Sequence, residues 1–101
     1  MRRKLKALVR PHLGTEVFYA IWVAEAVYQE MGATQFVITS LSDGRHMTGS
    51  RHYYGSAVDL RIWSLDEDKP KPAAKLIQHR LGRYYFVLLE KDHMHIEYKG
   101  Q

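Results

Sequence analysis

The stretch GSRHYYGSAVDLRIW, from Gly49 to Trp63, decides the fold because a glycine turn in it separates a histidine from an aspartate. Gly55 disfavours a helix, and the residues that follow it are rich in types that favour β-strands. We therefore predict a loop that leads into a strand over residues 57–63. Side chains alternate between the two faces of a strand, so Val58, Leu60 and Ile62 fill the core. The open face then carries Ala57, Asp59 and Arg61.

The same stretch predicts half of a metal site. A loop that folds back at Gly55 brings His52 close to Asp59. A neutral imidazole and a carboxylate placed together are two parts of a zinc site that keeps one position open for water. Such a site needs a third ligand, and the second histidine-rich segment, EKDHMHIEY at residues 90–98, is where we look for it. If this segment is a strand, its polar face carries His93, His95 and Glu97.

Length and composition indicate one small domain over residues 1–101. The chain has no cysteine, so any zinc is held by histidine and carboxylate side chains and not by thiolates. The net charge of +4 comes largely from the start, MRRKLKALVR. This start predicts either attraction to a polyanion, such as nucleic acid or an anionic cell envelope, or a solvated basic tail. We expect residues 1–14 to be a mobile lead-in.

The sequence also bears on where the protein is made and acts. Its polar start lacks the long apolar segment of a secretory signal, so we expect synthesis in the cytoplasm without a signal peptide. The most apolar window, VFYAIWVAEAVY, is short and is interrupted by Glu25, so we expect no membrane span. We expect a monomer.

The remaining elements predict an α+β fold in which a small, mainly antiparallel sheet packs against one or two helices. Helices are predicted from Thr15 to just before Gly32 and from about Pro72 to Leu81. Strands are predicted at residues 36–41 and in the last third of the chain, where two strands join near residues 90–92. We expect the apolar stripe of the first helix to pack in the core, in preference to lining a ligand groove. Its members are Val17, Phe18, Ile21, Trp22, Ala24, Val27, Tyr28 and Met31.

Together the two histidine segments read SxHxxGxAxD and then, about 30 residues later, DHxH. This pattern resembles the zinc peptidase superfamily of D-alanyl-D-alanine carboxypeptidases and dipeptidases, phage L-alanyl-D-glutamate endolysins and the hedgehog signalling domain. The resemblance runs from about Ile38 to Tyr98. It is strongest in ITSLSDGRHMTGSRHYYGSAVDLR and VLLEKDHMHIEY, which are similar to small phage-encoded members.

The resemblance implies a zinc ion held by His52, Asp59 and His95, with water at the fourth position. It implies that Asp92, three residues before the last ligand, is the general base that activates this water. Glu90 and Glu97 lie nearby in sequence and are the second and third candidates for the base. Glu97 alternatively orients a ligand imidazole through a hydrogen bond.

Three further residues receive roles from the resemblance. His93 is expected to hydrogen-bond the tetrahedral intermediate. Ser50 is expected to position the substrate, or else to hydrogen-bond its own backbone. Arg45 is the candidate for binding a substrate carboxylate, for which a two-pronged donor is suited.

The implied function is zinc-dependent hydrolysis of bacterial peptidoglycan stem peptides by a phage or prophage endolysin-like enzyme. It would act on the cell wall after release or as a virion component. The alternative is a zinc-binding interaction module of the same fold that hydrolyses nothing, as in the hedgehog branch. A nucleic-acid-binding role ranks below both because no base-reading motif is present, so we expect no specific nucleic-acid partner. The sequence leaves open which stem-peptide bond is cut.

Overall fold

The computed structural model describes residues 2–5, 15–42 and 57–100. Along these residues the order of elements is β1 (Arg2–Leu5), α1 (Thr15–Glu30), β2 (Gln35–Ser42), β3 (Ala57–Arg61), α2 (Pro70–Leu81), β4 (Tyr85–Leu89) and β5 (His93–Tyr98). The five strands form one sheet in the order β1-β2-β3-β5-β4. Four of them are antiparallel to their neighbours, and β1 adds to β2 in parallel. The predicted α+β class and the mainly antiparallel sheet are confirmed.

Strand β1 was not predicted. Four residues of the basic lead-in pair with β2, from Arg2 opposite Gln35 to Leu5 opposite Ile38. The expectation of a mobile lead-in is therefore wrong for this strand. The physical reason is that the outer edge of β2 offers unpaired backbone groups, which an extended segment of almost any composition satisfies by adding a strand.

Strand β3 follows the predicted alternation. Val58 and Leu60 are fully buried, whereas Asp59 between them is half-buried on the open face. The strand is shorter than predicted, since it ends at Arg61. The chain then turns, with the Leu65 amide donating to the Ile62 carbonyl at 3.0 Å, and this turn leaves Trp63 58% exposed.

Helix α1 covers the other face of the sheet and ends where the sequence predicted. Gly32 has a φ of 86°, its amide donates to the Gln29 carbonyl, and the Ala33 amide donates to the Tyr28 carbonyl. This pair of hydrogen bonds is the Schellman arrangement, in which the residue after the helix takes a left-handed conformation that suits glycine. The glycine therefore stops α1 and turns the chain into β2.

The prediction that Phe18 and Trp22 pack in the core is wrong. They are 51% and 66% exposed, while Val17 and Ile21, one position earlier in each turn, are buried. Successive helix residues are rotated by about 100°, so a stripe centred on the smaller side chains leaves the two large aromatics at its edge. The buried residues of α1 are Val17, Ala20, Ile21, Val23, Ala24, Val27 and Tyr28.

Helix α2 packs beside α1 and against β4. It begins at Pro70, two residues before the predicted start, because the first turn of a helix needs no amide donors and so accepts proline. The Gln78 side chain joins α2 to the sheet, donating to the Tyr85 carbonyl at 2.8 Å and accepting from the Val87 amide at 2.9 Å. In the described part of the chain, no helix has the length and apolar character needed to cross a membrane.

Candidate functional site

The open face of the sheet brings together residues from the two histidine segments. Asp59 on β3 and His95 on β5 are directly opposite each other in the antiparallel register. His95 Nδ1 lies 2.7 Å from Asp59 Oδ1, and both side chains are about one-quarter exposed. Two of the three expected zinc ligands are therefore in contact, although 36 positions separate them in the sequence.

A second carboxylate holds the other side of the same imidazole. His95 Nε2 lies 3.0 Å from Oε1 of Glu97, two positions along the same strand. Burial lowers the pKa of His95, but the hydrogen bonds with Glu97 and Asp59 favour the charged imidazolium, and the net pKa is raised above its ordinary value of 6.5. Glu97 thus fixes the orientation of the ring, as expected of a residue that orients a metal ligand.

A β-bulge in β2 lies beside Asp59. The register steps from Ile38 opposite Leu60 to Ser40 opposite Asp59, so that Thr39 has no partner of its own across the pair. The Thr39 hydroxyl donates instead to the Asp59 carbonyl at 3.3 Å. Bulges of this kind redirect side chains at the rims of sheets and next to active sites. Here the bulge places a small polar side chain against the residue expected to bind zinc.

Asp92 and His93 form a second pair at the start of β5. Asp92 lies in the turn that precedes the strand, and its Oδ1 is 2.7 Å from Nδ1 of His93. The hydrogen bond from His93 holds the pKa of Asp92 below its ordinary value of 3.8. The carboxylate is thus ionised at neutral pH.

One open pocket of about 460 Å³ is shared by Asp59 and the Asp92–His93 pair. It contains Asp59 together with Asp92, the first-ranked candidate for the base, whereas Glu90 is not among its described lining residues. The described residues that line it are Thr39, Asp59, Arg61, Trp63, Asp92 and His93.

Three of the predicted site residues, Arg45, Ser50 and His52, lie outside the described residues. Within residues 15–42 and 57–100, no group of three histidine, aspartate or glutamate side chains is arranged to hold a metal ion. The described residues therefore supply at most part of the expected ligand set, and the assignment of His52 stays a prediction.

The donor chemistry of the described part fits zinc. A histidine nitrogen and a carboxylate oxygen face each other at the Asp59–His95 pair, and Glu97 occupies the opposite ring nitrogen. Zinc sites are commonly built in this way, with a neutral imidazole on the metal and its second nitrogen hydrogen-bonded to a carboxylate. Asp59 and His95 would therefore hold the zinc, and Glu97 would hydrogen-bond the second nitrogen of the His95 ring.

Sequence reasoning did not assign a role to Arg61, Trp63 or Thr39. The alternation along β3 placed Arg61 on the same face as Asp59, and this was the available signal for it. Trp63 was predicted inside the strand, and its place in the pocket depends on the turn that follows Arg61. Nothing in the sequence indicates the bulge that brings Thr39 to the site.

Comparison of the chain with protein-family models found no match. Comparisons with curated proteins and with solved structures likewise found no similar protein.

Proposed function

We propose that this protein is a zinc-dependent peptidase that hydrolyses the stem peptides of bacterial peptidoglycan. The observation that carries the proposal is the contact between Asp59 and His95, with Asp92 in the same pocket as Asp59. These are two expected ligands and the expected base, and they come from segments that the fold alone brings together. The resemblance of the SxHxxGxAxD and DHxH motifs to zinc peptidases supplies the substrate class.

In this mechanism the chain's own residues hold the metal and move one proton. His52, Asp59 and His95 would hold zinc, which when bound supplies a water of lowered pKa and polarises the scissile carbonyl. Asp92 takes the water proton and later delivers it to the leaving amine. A carboxylate has about four lone-pair sites, so the bond to His93 leaves Asp92 the capacity for this transfer.

His93 has two functions in the proposal. Its Nδ1–H donates to Asp92, which fixes the ring. In the imidazolium form both ring nitrogens donate, so Nε2 is then a donor for substrate. That donor hydrogen-bonds the oxyanion of the tetrahedral intermediate, where a preorganised donor is most effective.

The test is digestion of purified peptidoglycan by the purified, zinc-loaded protein, with mass spectrometry of the products. New peptide termini are expected, and they identify the bond that is cut. A chelator and the Asp59→Ala variant should both abolish cleavage, and added zinc should restore activity only to the chelated wild type. Undiminished cleavage by protein stripped of zinc would contradict the proposal.

The same experiment separates hydrolysis from the non-hydrolytic alternative. One zinc per chain without cleavage of any stem peptide would indicate an interaction module. The presence of Asp92, ionised and in the pocket with Asp59, favours hydrolysis.

A further inference from the structure

A groove of about 750 Å³ lies between α2 and the outer edge of β4. Its floor is formed by apolar side chains, Val87 and Leu89 from the strand and Ala74 from the helix. Residues of β4 alternate between the faces of the sheet, and Leu88 is the neighbour of His95 on the open face. The groove therefore lies on the opposite, helix-covered face and is separate from the candidate zinc site.

The edge of β4 beside this groove has backbone groups that no described residue bonds. The Glu90 amide donates to the His93 carbonyl, so the even-numbered residues of β4 bond to β5 and the odd-numbered ones point outward. The Gln78 side chain bonds two of the outward groups. The Val87 carbonyl and both backbone groups of Leu89 remain, and an added strand would supply partners for them.

The helix side of the groove is basic. Lys71 and Lys75 are exposed, lie one turn apart on α2 and line the groove, whereas no aspartate or glutamate is among its described lining residues. Neither lysine forms an ion pair with a described side chain. The charge of this rim is therefore complementary to an acidic ligand.

The spacing of the two lysines fits a strand that carries acidic residues at alternate positions. Four residues of a helix rise about 6 Å, and two residues of a strand span roughly 6.6 to 6.8 Å. Side chains two positions apart on an added strand face the same side of the sheet. Two glutamates placed in this way would reach Lys71 and Lys75, and their methylene groups would cover Val87 and Leu89.

The open face of β4 also presents apolar surface at this edge. Phe86 and Leu88 are 42% and 40% exposed, although both side chains are large and apolar. The remaining side chains of an added strand would lie beside them, as cross-strand neighbours do in a sheet. Aliphatic residues at those positions would remove this apolar surface from water.

We propose that the outer edge of β4 binds, as an added strand, an extended segment of another protein in which glutamate alternates with aliphatic residues. Main-chain hydrogen bonds to Val87 and Leu89 would hold the segment, and the lysines of α2 would select its acidic side. A second copy of this chain is a poorer occupant, because pairing of two β4 edges would bring two basic rims together. The inference does not depend on the proposed peptidase function.

The test is fluorescence anisotropy with a fluorescein-labelled hexapeptide in which glutamate alternates with valine. The wild type should bind it. Combining Lys71→Gln with Lys75→Gln should weaken binding about 3- to 20-fold because two ion pairs are lost, and replacing the glutamates of the peptide with glutamine should have a similar effect. The matched control combines Arg83→Gln with Lys99→Gln, which removes two charges near the other end of β4 and should leave the affinity unchanged.

Two N-methylated peptides test the main-chain pairing. Methylation at the glutamates blocks the amides that face β4 in an antiparallel addition, and methylation at the valines blocks those that face it in a parallel one. One of the two peptides should lose its affinity and thereby give the direction of the added strand. Hydrogen exchange at the Leu89 amide should become slower when the unmodified peptide is bound.

Three results would overturn the inference. The first is binding that survives both methylations, and the second is failure of the unmodified peptide to bind at about 1 mM. If inorganic polyphosphate binds through Lys71 and Lys75 while the peptide does not, the rim is a site for phosphate polymers. The third is a dimer in sedimentation velocity whose Leu89 amide is already protected from exchange, which would assign the edge to a second copy.

Discussion

At the scale of single residues, the two carboxylates near His95 differ in position and so in proposed role. Asp92 lies in the pocket, exposed and bonded to His93, whereas Glu97 bonds directly to the ring of His95. A base must reach the water, while an orienting residue must reach the ligand. The geometry thus favours Asp92 as the base and Glu97 as the residue that orients His95.

Replacing Asp92 with asparagine should separate catalysis from metal binding. We expect kcat to fall about 10²- to 10⁴-fold because the proton acceptor is lost, while zinc remains near one per chain. Steady-state kinetics together with metal analysis of the dialysed protein measures both quantities. Loss of zinc along with activity would instead make Asp92 a ligand, and an unchanged kcat would exclude it as the base.

Replacing Glu97 with glutamine should weaken zinc binding and leave the catalytic step intact. We expect zinc affinity to fall about 10- to 100-fold because the imidazole of His95 loses its orienting carboxylate. At saturating zinc, kcat should return to near the wild-type value. A competition titration with a chromophoric chelator measures the affinity, and Glu67→Gln, an exposed glutamate in the turn after β3, is the matched control. A kcat that stays low when zinc is saturating would show that Glu97 takes part in the reaction itself.

Much of the described site was predictable from residue order alone. Alternation along β3 and β5 placed Asp59, His93, His95 and Glu97 on open faces, and the structure confirms each of these placements. The hydrogen-bonding partners were not predictable, because they depend on the register between strands that are far apart in the sequence. The roles of Ser50, Arg45 and His52 stay predictions.

At the scale of elements, the join between α2 and β4 depends on one side chain. The Gln78 amide donates to the carbonyls of Gly82 and Tyr85 and accepts from the Val87 amide. One side chain thereby provides hydrogen-bond partners for backbone groups at the end of α2 and at the outer edge of β4. Edge strands with unpaired backbone groups are weak points of a sheet, so this side chain protects the edge.

We expect Gln78→Ala to lower the free energy of unfolding by about 1 to 3 kcal/mol, since three part-buried backbone groups lose a partner. Urea denaturation measures the loss, and hydrogen exchange should show faster exchange at the Val87 amide. Lys75→Ala, an exposed position one turn earlier in α2, should change stability by less than about 0.5 kcal/mol. An equal effect of the two substitutions would show that Gln78 has no special role.

The limits of the predicted elements were most accurate where a local signal marks them. Gly32 and Gly82 end the two helices, and β4 and β5 join at the predicted turn. Strand β1 and the exposure of Trp22 were missed because both depend on the rest of the fold. Strand β1 forms only against the free edge of β2. The exposure of Trp22 depends on which stripe of α1 packs against the sheet.

At the scale of the whole molecule, two tyrosine hydroxyls join distant parts of the fold. Tyr28 on α1 donates to the Arg61 carbonyl at 2.8 Å, and Tyr85 on β4 donates to the Glu16 carbonyl at 2.9 Å. Burial raises the pKa of both, that of Tyr85 to about 12. The folded protein therefore holds these protons more tightly than the unfolded chain does.

This difference predicts a loss of stability in alkali. The contribution of Tyr85 is fully present below the ordinary tyrosine pKa of 10.0 and is lost as the pH rises from there to about 12, because only the unfolded chain releases its proton in that window. The urea midpoint of unfolding should fall as the pH rises through this range. The absorbance of tyrosinate should increase as the protein unfolds. Tyr85→Phe should be less stable than the wild type at neutral pH. Its free energy of unfolding should fall less than that of the wild type between pH 10.0 and about 12. An identical decline in both proteins would exclude Tyr85 as a source.

The register between β3 and β5 also has a consequence for folding kinetics. The hairpin of β4 and β5 closes locally, whereas β5 meets β3 only after the intervening chain, including α2, has folded back. Contacts of such long sequence separation form slowly because closing the loop costs entropy before the contact repays it. Asp59 and His95 are then apart in every intermediate that lacks this pairing. Recovery of zinc affinity during refolding would therefore report when β5 pairs with β3.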